Sequence, residues 1–338
     1  MNSANVPSLG SILDTIPTAV IEFDHGSLVY ANQAARRLFS LDRWDPDNPV
    51  AALGNAALVH ALETTTTTGT LQEVTVEVHD SVVQCATSQV PGKAVVTLVA
   101  TDITSVERVQ AMRRDFVANA SHELKTPVTG ILALAESLEL AMERDPVRAK
   151  QMVHRIRKEA VRLSQLVREL LDLNRIEEGE RREGEGFDLR FICLDQVARI
   201  GTLAESLHVT VRADIPDPII VVGSRENMKT IVSNLLTNAV KYNKPGGEVV
   251  ITACRQPTRI EIVVRDTGLG IAEEHLDRIF ERFYRVDQAR SREAGGTGLG
   301  LSIVRHAVEQ MGGTITVESA LGQGTRFSVH IPVEGNDV

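Results

Sequence analysis

From residue 149 onward the apolar residues return at steps of four and three: Ala149, Val153, Ile156, Ala160, Leu163, Val167 and Leu170. That spacing is the seam of a long helix packed against other helices, and Arg155, Arg157, Lys158, Glu159, Arg162 and Arg168 fill the positions between. Upstream, Val106 to about Met142 is helical in composition too, and Arg144-Asp145-Pro146 is a short break whose proline is well placed to open the second helix. Two helices joined in this way form a hairpin. A hairpin with an apolar stripe on each helix cannot bury both stripes alone, so the simplest completion is a second copy and a dimeric four-helix bundle.

The hairpin divides the chain. At about 150 residues per domain, 338 residues allow two or three domains, and the boundaries predicted are 1–104, 105–183 and 184–338. In the first of these, Ala19–Phe23, Val74–Val78 and Val95–Ala100 have strand character between turn signals, while Ala31–Phe39 and Val50–Glu63 have helical composition. An antiparallel sheet with short helices on one side follows, with the threonine run Thr64–Thr68 taken as a β-prone edge or loop. Residues 179–186 hold three glycines and no apolar side chain, which marks a linker. Beyond it, helical patterns at Leu194–Leu207 and Arg225–Tyr242 mix with strand patterns at Val209–Ala213, Glu248–Cys254, Ile260–Arg265, Thr314–Glu318 and Thr325–Ile331, an α/β sandwich. The fold class expected is therefore multidomain α+β.

Lys+Arg 36 against Asp+Glu 45, a net charge of −9, excludes a general nucleic-acid binder, since phosphate neutralisation needs a basic surface. Cys85, Cys193 and Cys254 form no CxxC pair and no disulfide framework, which points to a reducing compartment. No window reaches the length of a membrane span and the first residues lack signal-peptide character, so the chain is expected in the cytoplasm, free or docked on a membrane partner.

Ser121-His122-Glu123-Leu124-Lys125-Thr126-Pro127 lies in the first hairpin helix. With Val109, Met112, Phe116 and Ala120 as the buried stripe, His122 stands roughly 130° from its centre at about 100° per residue, facing out of the bundle. An outward histidine alone is an ordinary surface residue. Here a carboxylate follows that can take a hydrogen bond from one ring nitrogen and leave the other as a neutral nucleophile, and a mid-helix proline bends the backbone nearby. The heptapeptide resembles the phosphoacceptor box of sensor histidine kinases of the HisKA type. The resemblance implies that His122 accepts the γ-phosphoryl group of ATP and that Glu123 is its acid/base partner. It also implies that Glu123 and Thr126 position a water that dephosphorylates the partner.

The last domain has a matching set. Asn234 and Asn238 share a helix face at i and i+4, with Lys241 and Tyr242 following; amide oxygens suit Mg²⁺ and a lysine neutralises phosphate. Asp266-Thr267-Gly268-Leu269-Gly270 follows a strand, where a carboxylate can accept from an adenine amino group and glycine lets backbone approach the purine. Gly295 to Leu301, containing Gly296, Thr297, Gly298, Leu299 and Gly300, runs into a helical stretch and can form an anion site. Between them, Ile279–Arg285 and the polar stretch to Ala294 have the character of a hinged lid, with Arg285 and Arg290 able to reach phosphates. In order and spacing these segments resemble the N, first glycine, F and second glycine boxes of the GHKL ATP-binding fold. The resemblance implies ATP and Mg²⁺ as cofactors, Asn238 and Asn234 as metal ligands, Asp266 as the adenine reader, and Lys241, Tyr242 and Arg285 at the nucleotide.

Ile16–Val20, Tyr30–Ala35 and Thr101-Asp102-Ile103-Thr104 make the first domain resemble a PAS module, a class whose pockets hold haem, flavin or metabolites; His60 is a candidate iron ligand and Cys85 a candidate flavin-reactive thiol. Overall, the chain is most similar to phosphate-responsive sensor kinases of actinobacteria, many of which carry transmembrane helices. The family implies a homodimer and a response regulator with a receiver domain as partners. Two other classes compete: a scaffold with a degenerate kinase, against which intact nucleotide boxes count, and a GHKL ATPase of another kind, which would have no His122 box.

Overall fold

The computed structural model describes residues 9–39, 41–43, 45, 47, 52–177, 186–286 and 296–333. The chain forms two compact units, 1–117 and 118–338. The first unit carries a five-stranded sheet of order β2-β1-β5-β4-β3. Its strands are β1 (Ala19–Asp24), β2 (Ser27–Ala31), β3 (Gln72–Val78), β4 (Ser81–Gln89) and β5 (Val95–Asp102), all antiparallel. Ile21, Phe23, Val83, Cys85 and Leu98 form a core with Leu53 and Leu58. Asn32 is fully buried, yet every one of its polar atoms is used: Oδ1 accepts from Val20 (3.0 Å) and from Ala35 (2.9 Å) as the cap of helix Gln33–Leu38, and Nδ2 donates to the Leu13 and Thr18 carbonyls.

The threonine run is helical, against expectation. Helix Ala56–Thr68 starts at the Asn55 cap and ends at Gly69, whose φ of 68° closes a left-handed cap with its N–H on the Thr65 carbonyl. The hydroxyls of Thr64, Thr66, Thr67 and Thr68 each donate to the carbonyl four residues back, and Thr65 bonds Thr87 in the core. Those bonds satisfy the hydroxyls within the helix and override the β preference. His60 is exposed on this helix and does not line the unit's cleft of about 370 Å³ between Phe23, Val59, Leu62 and Val96. Cys85 is fully buried, and desolvation pushes its thiol up to about 11; Cys193 is likewise buried and pushed up to about 12. Cys254 is exposed. Accordingly, a thiol reagent at neutral pH should label Cys254 in the folded protein and reach Cys85 and Cys193 only in denaturant, as counted by mass spectrometry; rapid labelling of all three would contradict this packing.

Helix Thr104–Arg144 opens from a local network in which Asp102 Oδ1 accepts from the Thr104 N–H (2.8 Å) and hydroxyl (2.5 Å) while the Val82 N–H donates to Thr104 Oγ1 (2.8 Å). The two bonds from Thr104 foremost, with one from the Ser81 hydroxyl (3.2 Å), hold the Asp102 carboxyl below its usual range. The helix is continuous through Pro127 and turns at Asp145, whose side chain caps the second hairpin helix, Pro146–Glu177, through the Arg148 N–H. Proline stands at the first helical position, as the sequence predicts. The predicted seam is only partly buried: Ala149 is buried and Ile156, Leu163 and Leu170 half-buried, but Val153, Ala160 and Val167 are exposed, while Met152, Leu166, Leu173 and Ile176 are buried. On the first helix Ala120 is buried, Phe116 half-buried and Val109 exposed. The hairpin thus presents Val117, Val128, Leu132, Val153, Val161 and Leu171 to solvent in the single chain.

The rest of the second unit is a mixed sheet of order β11-β12-β10-β9-β7, formed by β7 (Thr210–Asp214), β9 (Glu248–Arg255), β10 (Arg259–Asp266), β11 (Thr314–Ala320) and β12 (Gly324–Pro332). Only the β7–β9 pair is parallel. A two-stranded β6 (Gly186–Asp188) and β8 (Ile220–Val222) adjoins it, an element without a visible sequence signal. Alternate residues point inward: Val249 and Ile251, then Ile260, Ile262 and Val264, then Phe327, Val329 and Ile331. The inward rows meet Met228, Ile231, Leu235 and Val240 of helix Arg225–Lys241, which is flanked by helices Leu189–Ser206 and Gly300–Gln310. Helix Gly300–Gln310 also packs on the second hairpin helix. Truncating a fully buried leucine at such a joint costs about 2–5 kcal/mol. Among the described residues no helix is long and apolar enough to cross a membrane.

Candidate functional site

Asp266 continues the inward alternation of β10 past its last apolar residue, so a carboxylate is carried into the core at the strand end. Its Oδ1 accepts from the Gly268 N–H (2.7 Å) and the Thr325 N–H (3.2 Å), leaving Oδ2 without a protein donor among the described residues. Desolvation raises its pKa, against the pull of those two bonds. Gly268 is sterically required: a Cβ there would lie 2.5 Å from the Tyr242 carbonyl oxygen. That carbonyl accepts from Leu269 (3.1 Å), tying the first glycine box to the end of helix Arg225–Lys241. Tyr242 itself is exposed, and Gly270 passes close under the Ala320 carbonyl.

On that helix Asn234, Asn238 and Lys241 share one half-buried face. Asn234 Nδ2 donates to the Thr230 carbonyl (2.9 Å), which turns Oδ1 toward Gly300, and Gly300 also lies beside Asn238. The N segment and the second glycine box therefore meet at Gly300, where a Cβ would stand 2.9 Å from Asn234 Oδ1. Gly298, with φ at 79°, leaves no room for a Cβ, which would stand 2.7 Å from the Phe283 carbonyl carbon. The Phe283 N–H donates to the Gly298 carbonyl (2.9 Å), and Phe283 has a left-handed φ of 63°, a costly conformation for an aromatic residue. This junction joins the lid start to the second glycine box. Gly296 and Leu301 are half-buried, Thr297 and Leu299 buried. Arg290 lies outside the described residues.

His122 is exposed, as its helical position predicts. Thr126 Oγ1 donates to the His122 carbonyl (3.1 Å). Among the described residues the adjacent Glu123 makes no hydrogen bond to the imidazole. Its carboxylate instead accepts from Arg285 (2.9 Å) and lies 3.5 Å from Arg162. The Arg285 side chain is only 6% exposed, and its Nε is a buried donor with no partner among the described residues. Thr297 donates its hydroxyl to Glu169 on the second hairpin helix. Sequence patterns do not single out Arg162 or Glu169, because each is one of many charges at helical spacing.

Residues 112–179 match the His Kinase A (phospho-acceptor) domain, 223–335 the histidine kinase-, DNA gyrase B-, and HSP90-like ATPase, and 9–72 a PAS domain. The chain belongs to the sensor histidine kinases. The sensor-like histidine kinase SenX3 of Mycolicibacterium smegmatis is 40% identical over 226 residues, covering 67% of this chain and 59% of that protein. The sensor protein SrrB of Staphylococcus aureus (strain MRSA252) is 34% identical over 252 residues, 71% of this chain and 42% of that one. The chain thus matches about half the length of these relatives. A crystal structure of histidine kinase ThkA in complex with response regulator protein TrrA shares the fold, with a TM-score of 0.54 at 19% identity over 97% of this chain and 99% of that one.

The nucleotide-facing residues fit ATP and Mg²⁺. The fit rests on glycine backbones that admit no side chain, the unclaimed Oδ2 of Asp266, the orphaned Nε of Arg285 and two carboxamides meeting at Gly300. An ATP-binding domain is what the family match implies.

Proposed function

We propose that this chain is an ATP-dependent protein-histidine kinase that phosphorylates His122 and passes the phosphoryl group to an aspartate of a response regulator. The observation that carries this is the convergence of Asn234, Asn238, Gly298 and Gly300 in the same unit as an outward-facing His122, with Arg285 already touching the residue beside it. Asn238 and Asn234 would hold Mg²⁺, which supplies charge neutralisation between the phosphates. Asp266 reads adenine, and Lys241, Tyr242, Arg285 and Arg290 contact the nucleotide. One imidazole nitrogen of His122 forms a bond to the γ-phosphorus as the bond to the bridging oxygen breaks and ADP leaves. The ring proton then passes to Glu123 once Arg285 releases it. The exposed valines and leucines of the hairpin are the face on which a second copy completes a four-helix bundle. The threefold division at residues 104 and 183 places the sensor ahead of this bundle in the chain. ThkA was crystallised with a response regulator, and a receiver domain is the partner assigned to this chain by analogy.

Incubation with Mg²⁺ and γ-labelled ATP tests the reaction: label stable in alkali and lost in acid supports it, whereas nucleotide binding without label on the chain contradicts it. Thr126 carries the opposing activity by resemblance, activating a water against the phosphorylated partner. Thr126→Ala should leave the autophosphorylation rate within about twofold while slowing partner dephosphorylation by on the order of 10²-fold or more, the scale of lost acid–base assistance. Equal loss of both activities would refute the separation of roles.

A further inference from the structure

Glu169 stands on the second hairpin helix with its carboxylate turned away from water. Oε1 accepts from Gln165 Nε2 (2.9 Å), Oε2 accepts from the Thr297 hydroxyl, and the Lys241 ammonium attracts it. Desolvation pushes the Glu169 carboxyl up and the Lys241 ammonium down, and each charge opposes the shift of the other. Both residues are half-buried; Glu169 is fixed by Gln165 and Thr297, and Lys241 lies near enough to attract its charge. Lys241 and Thr297 come from the N segment and the second glycine box, the two segments that face phosphate in the proposed function. A second contact has the same sense: Glu123, also on the hairpin, holds Arg285. Two carboxylates of the hairpin thus engage groups that face phosphate in the proposed function: Glu123 holds Arg285, and Glu169 holds the Thr297 hydroxyl beside Lys241.

We propose that Glu169 is a built-in stand-in for a nucleotide phosphate, which occupies Lys241 and Thr297 in the nucleotide-free protein and latches the nucleotide face onto the hairpin until Mg-nucleotide displaces it. The proposal rests on the nucleotide site argued above. It couples nucleotide entry and release of the catalytic domain in a single equilibrium: ATP phosphates and Glu169 compete for the same donors, and the domain that must travel to His122 is freed by the ligand it delivers. While the latch is mostly closed, weakening it tightens nucleotide binding by nearly the same factor.

The test uses the full chain, with Mg-AMP-PNP as the probe in titration calorimetry and amide hydrogen exchange as a second readout. Glu169→Gln keeps side-chain size and helix propensity but removes the charge, while Glu169→Ala removes the contact altogether. Both variants should bind Mg-AMP-PNP about tenfold more tightly than wild type, within the usual range of intramolecular coupling. Asp172→Asn, which removes the same charge three residues on, should stay within about twofold. Without nucleotide, amides of 300–310 should exchange faster in Glu169→Ala than in wild type, and wild type should reach that rate when nucleotide is added. Unchanged or weaker affinity in Glu169→Gln, with unchanged exchange, would overturn the latch while a wild type that binds nucleotide leaves the site itself standing. Failure of wild type and all variants to bind would overturn the nucleotide site, and the latch with it. Should Glu169→Ala lose its folded thermal transition, Glu169→Gln decides alone.

Discussion

Replacing His122 with glutamine is expected to reduce acid-labile phosphoryl label to background while leaving Mg-AMP-PNP affinity within about twofold of wild type. Loss of the label is all-or-none because the substitution removes the nucleophile itself, and a neutral carboxamide cannot take its place in a phosphoryl transfer. Binding should survive because the imidazole is exposed, and Thr126 bonds the backbone carbonyl of residue 122, which glutamine retains. Glutamine is also a good helix former, so the hairpin keeps its geometry. The measurement is label retained after alkali and after acid, beside calorimetric binding. Label of wild-type amount in His122→Gln would move the acceptor to another histidine, with His154 of the neighbouring helix the first to test.

The outward position of His122 was legible because helical spacing alone sets which way a residue faces, and Glu123 and Pro127 stand within one helical turn or so of it. The glycine boxes were legible for a related reason: a Cβ would stand 2.5 Å from the Tyr242 carbonyl oxygen at Gly268 and 2.7 Å from the Phe283 carbonyl carbon at Gly298, and that requirement is written directly into residue type. The strands of the last domain followed from simple alternation, down to Asp266 taking the inward place of an apolar residue. The hairpin helices were also legible, but not their buried faces. Val153 and Val167 sit on the seam and are exposed, because one chain supplies only some of the surroundings that the pattern describes. Thr64–Thr68 misled for a local reason, since hydroxyls bonded back into the helix cost less than β preference suggests. Glu169 had no signature at all. Its environment is made by Thr297, 128 residues away, and by Lys241, and no spacing along the chain encodes such a meeting.

The Glu123 contacts bear on how the site is regulated. The Glu123 carboxylate accepts from Arg285 at 2.9 Å and lies 3.5 Å from Arg162, so its oxygens are engaged on the cation side and not at the His122 ring. Arg285 is incompletely satisfied there: its buried Nε lacks a partner among the described residues, and an unsatisfied buried donor costs about 1–3 kcal/mol. An arriving phosphate offers that donor an acceptor. In the proposed function, nucleotide arrival would therefore free Glu123.

Asn238→Ala is expected to abolish Mg²⁺-dependent autophosphorylation, with label formation falling by on the order of 10²-fold or more, the scale at which loss of a positioned electrostatic group acts. Asn238 lies on the half-buried face shared with Asn234 and Lys241, and its carboxamide meets Gly300. Mg²⁺ demands near-ideal oxygen geometry and keeps several waters, so one protein oxygen lost from a small set is not readily replaced. Stability should not fall, since alanine is the better helix former in this interior position and the leucines beside it, Leu235 and Leu236, supply the packing. The decisive measurement is AMP-PNP affinity across a Mg²⁺ titration together with the labelling rate. In wild type, affinity should rise with Mg²⁺; in Asn238→Ala that rise should flatten while the melting temperature stays. A wild-type Mg²⁺ dependence in the variant would remove Asn238 from the metal site and leave Asn234, whose Oδ1 faces the same glycine, as the oxygen donor of that face.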